Sequence, residues 1–177
     1  PMSDVTAAEL EAAIRNVPDF PKPGIQFKDI TPVLGNATLF AGSIDLLAAH
    51  HADAAIDAVV GIDARGFIFA AAAACQLNAA FVPIRKKGKL PHKTIEENFS
   101  LEYGEDTVAI HEDALKPGAR VLLLDDLLAT GGTAAAAAKL VRKVGAEIIE
   151  IGFLIELSFL NGREKLDGHP IHSVITY

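Results

Sequence analysis

The stretch Val121-Leu-Leu-Leu-Asp125-Asp126-Leu127-Leu-Ala129-Thr130-Gly131-Gly132-Thr133 runs from an apolar segment, through two carboxylates and a loop of small residues, into an alanine-rich helix. A short unbroken apolar run bounded by charge reads as a strand buried on both faces, the pattern of a parallel sheet. The loop that leaves it suits an anion. Gly131 and Gly132 let backbone N–H groups come close to a ligand, Thr130 and Thr133 offer hydroxyls, and the helix start adds the positive end of its dipole. No lysine precedes the hydroxyl residue, so this is not a Walker A loop, and the GxGxxG spacing of a dinucleotide site is absent. Two carboxylates beside a phosphate would repel it by about 1 to 4 kcal/mol, depending on screening. A partner has to offset that repulsion. Ribose hydroxyls donating to the carboxylates, or a Mg2+ shared with the ligand, would do so, and either implies a sugar phosphate. The alternative reading of the same residues is an acidic strand end with a plain glycine turn into a helix.

Working outward, strands are expected over 58–62, 80–84, 120–124 and 148–157, with helices over 67–77 and 133–144. Strands alternating with helices imply right-handed crossovers and an α/β fold with a mainly parallel central sheet flanked by helices. Ligands of such sheets bind beyond the carboxyl ends of the strands, which groups the loops starting at Asp63, Arg85 and Asp125. Residues 99–103 and 107–111, joined through Gly104 and Glu105, break the alternation and read as a β-hairpin projecting from the sheet. Phe99, Leu101 and Tyr103 should share one of its faces, with Ser100 and Glu102 on the other. At the amino end, Thr6 and Glu9 have capping-box spacing for a helix over 6–17. Pro18, Pro21, Pro23 and Gly24 then predict an irregular extended loop through Phe27, Lys28 and Asp29, followed by a helix over 38–52.

The chain has 177 residues, half of them apolar, and is expected to form one domain over 1–177. Within it, 1–35 forms an N-terminal helical and loop hood, and 85–111 a lid of loop and hairpin. A net charge of -7 argues against nucleic acid as the main partner. The apolar run from Phe67 to Cys75 is too short to span a bilayer, so no membrane is expected. The amino end carries Asp4, Glu9 and Glu11 where a secretion signal would be basic, and a single Cys75 cannot form an internal disulfide. Both point to the cytoplasm. Pro1, ahead of Met2, is read as foreign to the chain. Cys75 reads as a core residue of its helix, and His50 and His51, at a helix end, as capping or solvent residues in preference to metal ligands.

The string Asp-Asp-Leu-Leu-Ala-Thr-Gly-Gly-Thr from Asp125 to Thr133 resembles the motif by which the type I phosphoribosyltransferases bind phosphoribosyl pyrophosphate (PRPP), and is similar to the adenine-specific branch in particular. The resemblance spans essentially the whole chain. It implies that Asp125 and Asp126 hold the ribose hydroxyls, while Ala129, Thr130, Gly131, Gly132 and Thr133 wrap the 5′-phosphate. The corner Gly61-Ile-Asp63-Ala64-Arg65-Gly66-Phe67 is similar to the family's pyrophosphate corner, with alanine at Ala64 where serine is usual. That assigns Asp63, Ala64 and Arg65 to pyrophosphate, with Arg65 also near the base. The run Arg85-Lys86-Lys87-Gly88-Lys89-Leu90-Pro91-His92-Lys93 resembles the lid and its approach, which makes Arg85 and Lys89 pyrophosphate contacts. Ser100-Leu-Glu102-Tyr103-Gly104 looks like the lid motif whose glutamate, here Glu102, acts as acid or base at the purine. The segment from Pro23 to Pro32 is similar to the adenine loop, which gives Ile25, Phe27 and Lys28 to the base, with lysine at Lys28 where arginine is common, and Leu127 to its other face.

The implied reaction converts adenine and PRPP to AMP and pyrophosphate, with Mg2+ as cofactor held mainly by PRPP and water and with no direct protein ligand. A homodimer is implied as well. A phosphoribosyltransferase for another base and a non-enzymatic PRPP-sensing regulator are the alternatives. Regulators of that kind carry a DNA-binding extension, for which this acidic chain has no room. No chemical role is read for the stretch from Asn161 to Leu166.

Overall fold

The computed structural model describes residues 2–101 and 103–177. In chain order its elements are α1 (Ala7–Ala13), β1 (Arg15–Pro18), β2 (Gln26–Asp29), α2 (Thr31–Leu34), α3 (Ala37–Ala48), β3 (Ala58–Ile62), α4 (Arg65–Gln76), β4 (Ala80–Lys86), β5 (Thr94–Leu101), β6 (Gly104–His111), β7 (Arg120–Leu128), α5 (Gly132–Lys143), β8 (Glu147–Glu156) and β9 (Ile171–Thr176). Short 3-10 turns occupy Ala49–His51, Ser158–Leu160 and Gly162–Leu166. The main sheet has the order β5-β6-β4-β3-β7-β8-β9. Its pairs from β4 to β9 are parallel, and β6 is antiparallel to both β4 and β5. The chain leaves β3 toward β4 on one side and returns to β7 on the other. That reversal opens a crevice beyond the carboxyl ends of β3 and β7.

Helices cover both faces, so β3 and the Val121–Leu124 run of β7 carry no polar side chain. All five residues of β3 are buried. Val59 joins Leu122 and Leu124 of β7 against Leu47 of α3 and Phe69 and Ala70 of α4. Val60 and Ile62 point the other way and pack with Leu123 against Ala137 and Leu140 of α5. The alternation with period two divides one sheet between two cores.

The mixed α/β sheet with flanking helices is as expected, with local differences. Thr6 caps α1 through Glu9 N–H, but the helix ends at Ala13. Pro18 restricts Val17 to extended backbone, so the chain turns into β1 instead of completing a helix through residue 17. The segment expected to be irregular is largely a two-stranded antiparallel ribbon, in which Val17 lies opposite Phe27 and Asn16 opposite Lys28. The hairpin is longer than its apolar alternation suggested and continues the main sheet through the pairs Arg85–Ala109 and Lys86–Val108. Tyr103 lies in its turn, exposed, and does not share a strand face with Phe99 and Leu101. Cys75 is exposed on α4, not in the core. Among the described residues no helix is long and apolar enough to cross a membrane.

Candidate active site

β7 extends past Leu124, so Asp125 and Asp126 are strand residues, with Asp125 opposite Phe153 of β8. Asp126 is buried and accepts a hydrogen bond from Arg65 Nε at 2.5 Å. This bond holds the Arg65 guanidinium above its ordinary pKa. Asp125 Oδ1 accepts the Asp126 N–H at 2.8 Å. Burial, reinforced by the neighbouring Asp126 charge, pushes the Asp125 carboxyl well above the usual carboxylate range. α4 starts hard against this strand end: a Cβ on Gly66 would lie 2.7 Å from Asp125 Oδ1 and 3.2 Å from the Leu124 carbonyl. Only glycine permits that approach.

The corner that opens α4 is tied to the neighbouring strand. Asp63 N–H donates to the Ile84 carbonyl at 3.0 Å, and Asp63 Oδ2 accepts from Arg85 Nε at 2.8 Å. The Asp63–Ala64 peptide is cis. Arg85 is itself a residue of β4, and its Nη1 reaches the Lys89 carbonyl at 3.3 Å.

The small-residue loop rests on a floor. Gly131 has φ +88°, a conformation that L side chains rarely adopt, and a Cβ there would collide with the Gly162 carbonyl. A Cβ on Gly162 would in turn meet the Ala129 carbonyl. Arg163, next in the chain, donates through Nε to both oxygens of Glu156 at 2.8 and 2.9 Å. Ser173 Oγ adds a bond to Glu156 Oε1 at 2.6 Å. These partners, Arg163 foremost, hold the buried Glu156 carboxyl below its ordinary pKa. The stretch for which sequence offered no chemistry is therefore the support of the anion loop.

Three adjoining clefts meet here. One of about 80 Å³ follows residues 127–134 beside Asp125. The second, about 260 Å³, is walled by Asp63, Ala64, Arg65, Asp125, Asp126 and Leu127. The third, about 310 Å³, lies among Asp63, Arg85, Lys86, Phe99 and Leu101. Thr133, in the first turn of α5, lines all three. From β2, the Phe27 ring comes within 5.6 Å of the Arg65 guanidinium carbon, which brings the amino-terminal ribbon to the rim.

A family model described as the phosphoribosyl transferase domain matches residues 32–172. The adenine phosphoribosyltransferase of Chloroflexus aurantiacus is 53% identical over 98% of this chain and 100% of its own length. The crystal structure of the Rhodothermus marinus adenine phosphoribosyltransferase superposes with a TM-score of 0.92 at 51% identity, covering 97% of this chain and 98% of that one. The Saccharomyces cerevisiae adenine phosphoribosyltransferase, solved with an imino-altritol bisphosphate and adenine, gives 0.91 at 41% identity, covering 95% and 97%. The chain belongs to the phosphoribosyl transferase family.

Within that family's frame, most of the residues singled out in the sequence come together. Asp63, Ala64, Arg65, Arg85, Asp125, Asp126, Leu127 and the loop from Ala129 to Thr133 line the joined clefts, and Phe27 faces Arg65. Three do not join them. Lys89 is present through its carbonyl on Arg85, Ile25 is exposed in the turn of the ribbon, and Lys28 places its ammonium 4.0 Å over the Tyr177 ring. Glu102 lies outside the described residues. Sequence reasoning missed Gly66, Gly162 and Phe99, whose parts depend on contacts across the fold. A glycine beside Arg65 was the one visible signal. His51 is buried, and with His50 it bonds to Glu150, so the pair neither caps a helix nor simply faces solvent.

Asp63 and Asp126 are each bound to an arginine, and Asp125 to a backbone N–H. Such a donor set fits a Mg2+ carried in by substrate oxygens and completed by water better than one stripped of water by protein carboxylates.

Proposed function

We propose that this chain transfers the phosphoribosyl group of PRPP to adenine, giving AMP and pyrophosphate. The observation that carries the reading is the contiguity of three unlike surfaces around Thr133: an anion loop, a carboxylate pair and an arginine that reaches an aromatic ring. N–H groups at the start of α5 and the hydroxyls of Thr130 and Thr133 take the 5′-phosphate. Asp125 and Asp126 accept the ribose hydroxyls, which relieves the crowding of two adjacent carboxylates. Asp63, the Ala64 backbone, Arg65 and Arg85 neutralise the departing pyrophosphate, and Lys89 joins them when its loop turns inward. Phe27 and Leu127 enclose the adenine ring, while Ile25 and Lys28 set the ribbon that carries Phe27.

The lone pair of adenine N9 forms the bond to the anomeric carbon as the bond to pyrophosphate oxygen breaks, and the purine loses one proton. By resemblance, Glu102 exchanges that proton. Mg2+, when bound, lowers the charge of the leaving group. The enzyme acts as a homodimer in the cytoplasm. Exposed Cys75 at the end of α4 and the edge-to-face Phe67–Phe81 pair at its start, with Phe81 partly exposed, support the dimer.

The test is pyrophosphate release from PRPP and Mg2+ with adenine, hypoxanthine, guanine and uracil in parallel, repeated with an Asp125→Asn, Asp126→Asn variant. Release that depends on adenine and drops on the order of 100-fold or more in the variant is expected. Preference for another base overturns the specificity, and silence with all four overturns the reaction.

A further inference from the structure

Away from the clefts, His50 and His51 both direct Nε2 at one atom, Glu150 Oε1, at 2.9 and 2.8 Å. The three ligand atoms lie within 4.8 Å of one another. Nothing in the transfer reaction uses them. Glu150 sits on β8 opposite Leu122, upstream of the pair formed by Asp125 and Phe153. The imidazoles come from the 3-10 turn that follows α3.

We propose that His50, His51 and Glu150 form a binding site for a zinc-like divalent ion that pins this turn to the sheet. Tetrahedral zinc, with bonds of roughly 2.0 to 2.2 Å, sets its ligand atoms about 3.3 Å apart. The present nitrogen-to-oxygen spacings need to open by only about 0.5 Å to admit the ion. Each imidazole then carries its proton on Nδ1 and turns the Nε2 lone pair inward. Two imidazoles and one carboxylate favour zinc, cobalt or nickel over magnesium, which separates this site from any ion that arrives with PRPP. His172 is a wall and not a ligand: its ring stands edge-on to His50 at 4.9 Å, and its Nε2 is bonded to the Leu46 carbonyl at 3.0 Å. His51 is buried and Glu150 nearly so, whereas the His50 side chain is 43% exposed and gives the ion its entry and a water its coordination position.

The experiment is calorimetric titration of the untagged protein with Zn2+ alone at neutral pH, with Co2+ as a spectroscopic probe. It is repeated on His50→Gln, Glu150→Gln and, as a control in a separate histidine pair, His92→Ala. One ion per chain is expected, with a tetrahedral Co2+ spectrum and a Tm that rises with Zn2+. Affinity should fall at least about tenfold in each near-isosteric variant and stay unchanged in the control. Absence of binding by the wild-type protein, or equal affinity in a folded His50→Gln or Glu150→Gln protein, overturns the site.

Discussion

The anion loop at the end of β7 and the charged edge formed by β4, β5 and β6 meet at the same clefts but are built on opposite terms. In the loop, Gly131 is locked against Gly162, Gly66 presses on Asp125, and the charges beneath are held by short bonds, as in Glu156 with Arg163 and Ser173. On the edge, the hairpin is joined to β4 by the pairs Arg85–Ala109 and Lys86–Val108. Lys86 and Lys87 there form surface pairs with Asp106 at 3.2 Å and Glu96 at 3.5 Å. Packing to this degree fixes a geometry, whereas solvated ion pairs leave long side chains free to exchange partners. On the proposed assignment, the retained phosphate lies wholly in the rigid region, while the departing pyrophosphate spans from its edge at Arg65 to the adaptable one.

The contrast breaks most visibly at Gly131. Gly131→Val forces a branched side chain into a positive φ and into the Gly162 carbonyl, at a conformational cost of about 1 to 2 kcal/mol before any collision. Displacing the loop by about an ångström should lower kcat/KM for PRPP on the order of 100-fold, chiefly through KM. Steady-state kinetics beside a thermal melt will tell, and near-normal PRPP kinetics would show that the loop adapts after all.

A smaller effect is expected one layer down. Arg163→Met leaves the buried Glu156 carboxylate with Ser173 alone and should cost about 1 to 3 kcal/mol, with the half-exposed arginine setting the lower end. The sign with pH is fixed by the lowered Glu156 pKa. Its contribution is present above the ordinary value of 4.5 and is lost as pH falls through the folded value, so the acid-side loss of stability should flatten in the variant. Urea melts from neutral pH to well below the ordinary value of 4.5 measure this, and parallel profiles for both proteins would refute it. Smallest of all, Lys86→Ala and Lys87→Ala should change stability by less than about 1 kcal/mol, an effect that fades in salt. A larger, salt-insensitive loss in the same melts would mean that the edge is as rigid as the loop.

Much of this was legible in the sequence because it is local. The apolar run into Asp125, the glycines before an alanine-rich helix, and the alternation of strands and helices each state their structure within a few residues. What escaped depends on distant partners. The β1–β2 ribbon is short and proline-flanked, and it pairs residues that carry no apolar alternation to announce it. The support beneath Gly131 is made by Gly162 and Arg163, whose parts exist only once β8 and β9 bring Glu156 and Ser173 alongside. Lys28 read as a base contact because its neighbours match a motif, and a single aromatic ring, Tyr177, draws its ammonium elsewhere.

A bare hydrogen at Gly132 has one more consequence. A methyl group there would stand 3.4 Å from the Phe99 ring and 3.6 Å from the Ser100 carbonyl, so β5 lies almost directly on the first turn of α5. The seat of the lid is therefore cut into the cradle itself. A single methyl at that position would meet the hairpin at ordinary van der Waals distance, so cradle and hairpin already stand one side-chain layer apart, and any larger side chain there would press on both at once.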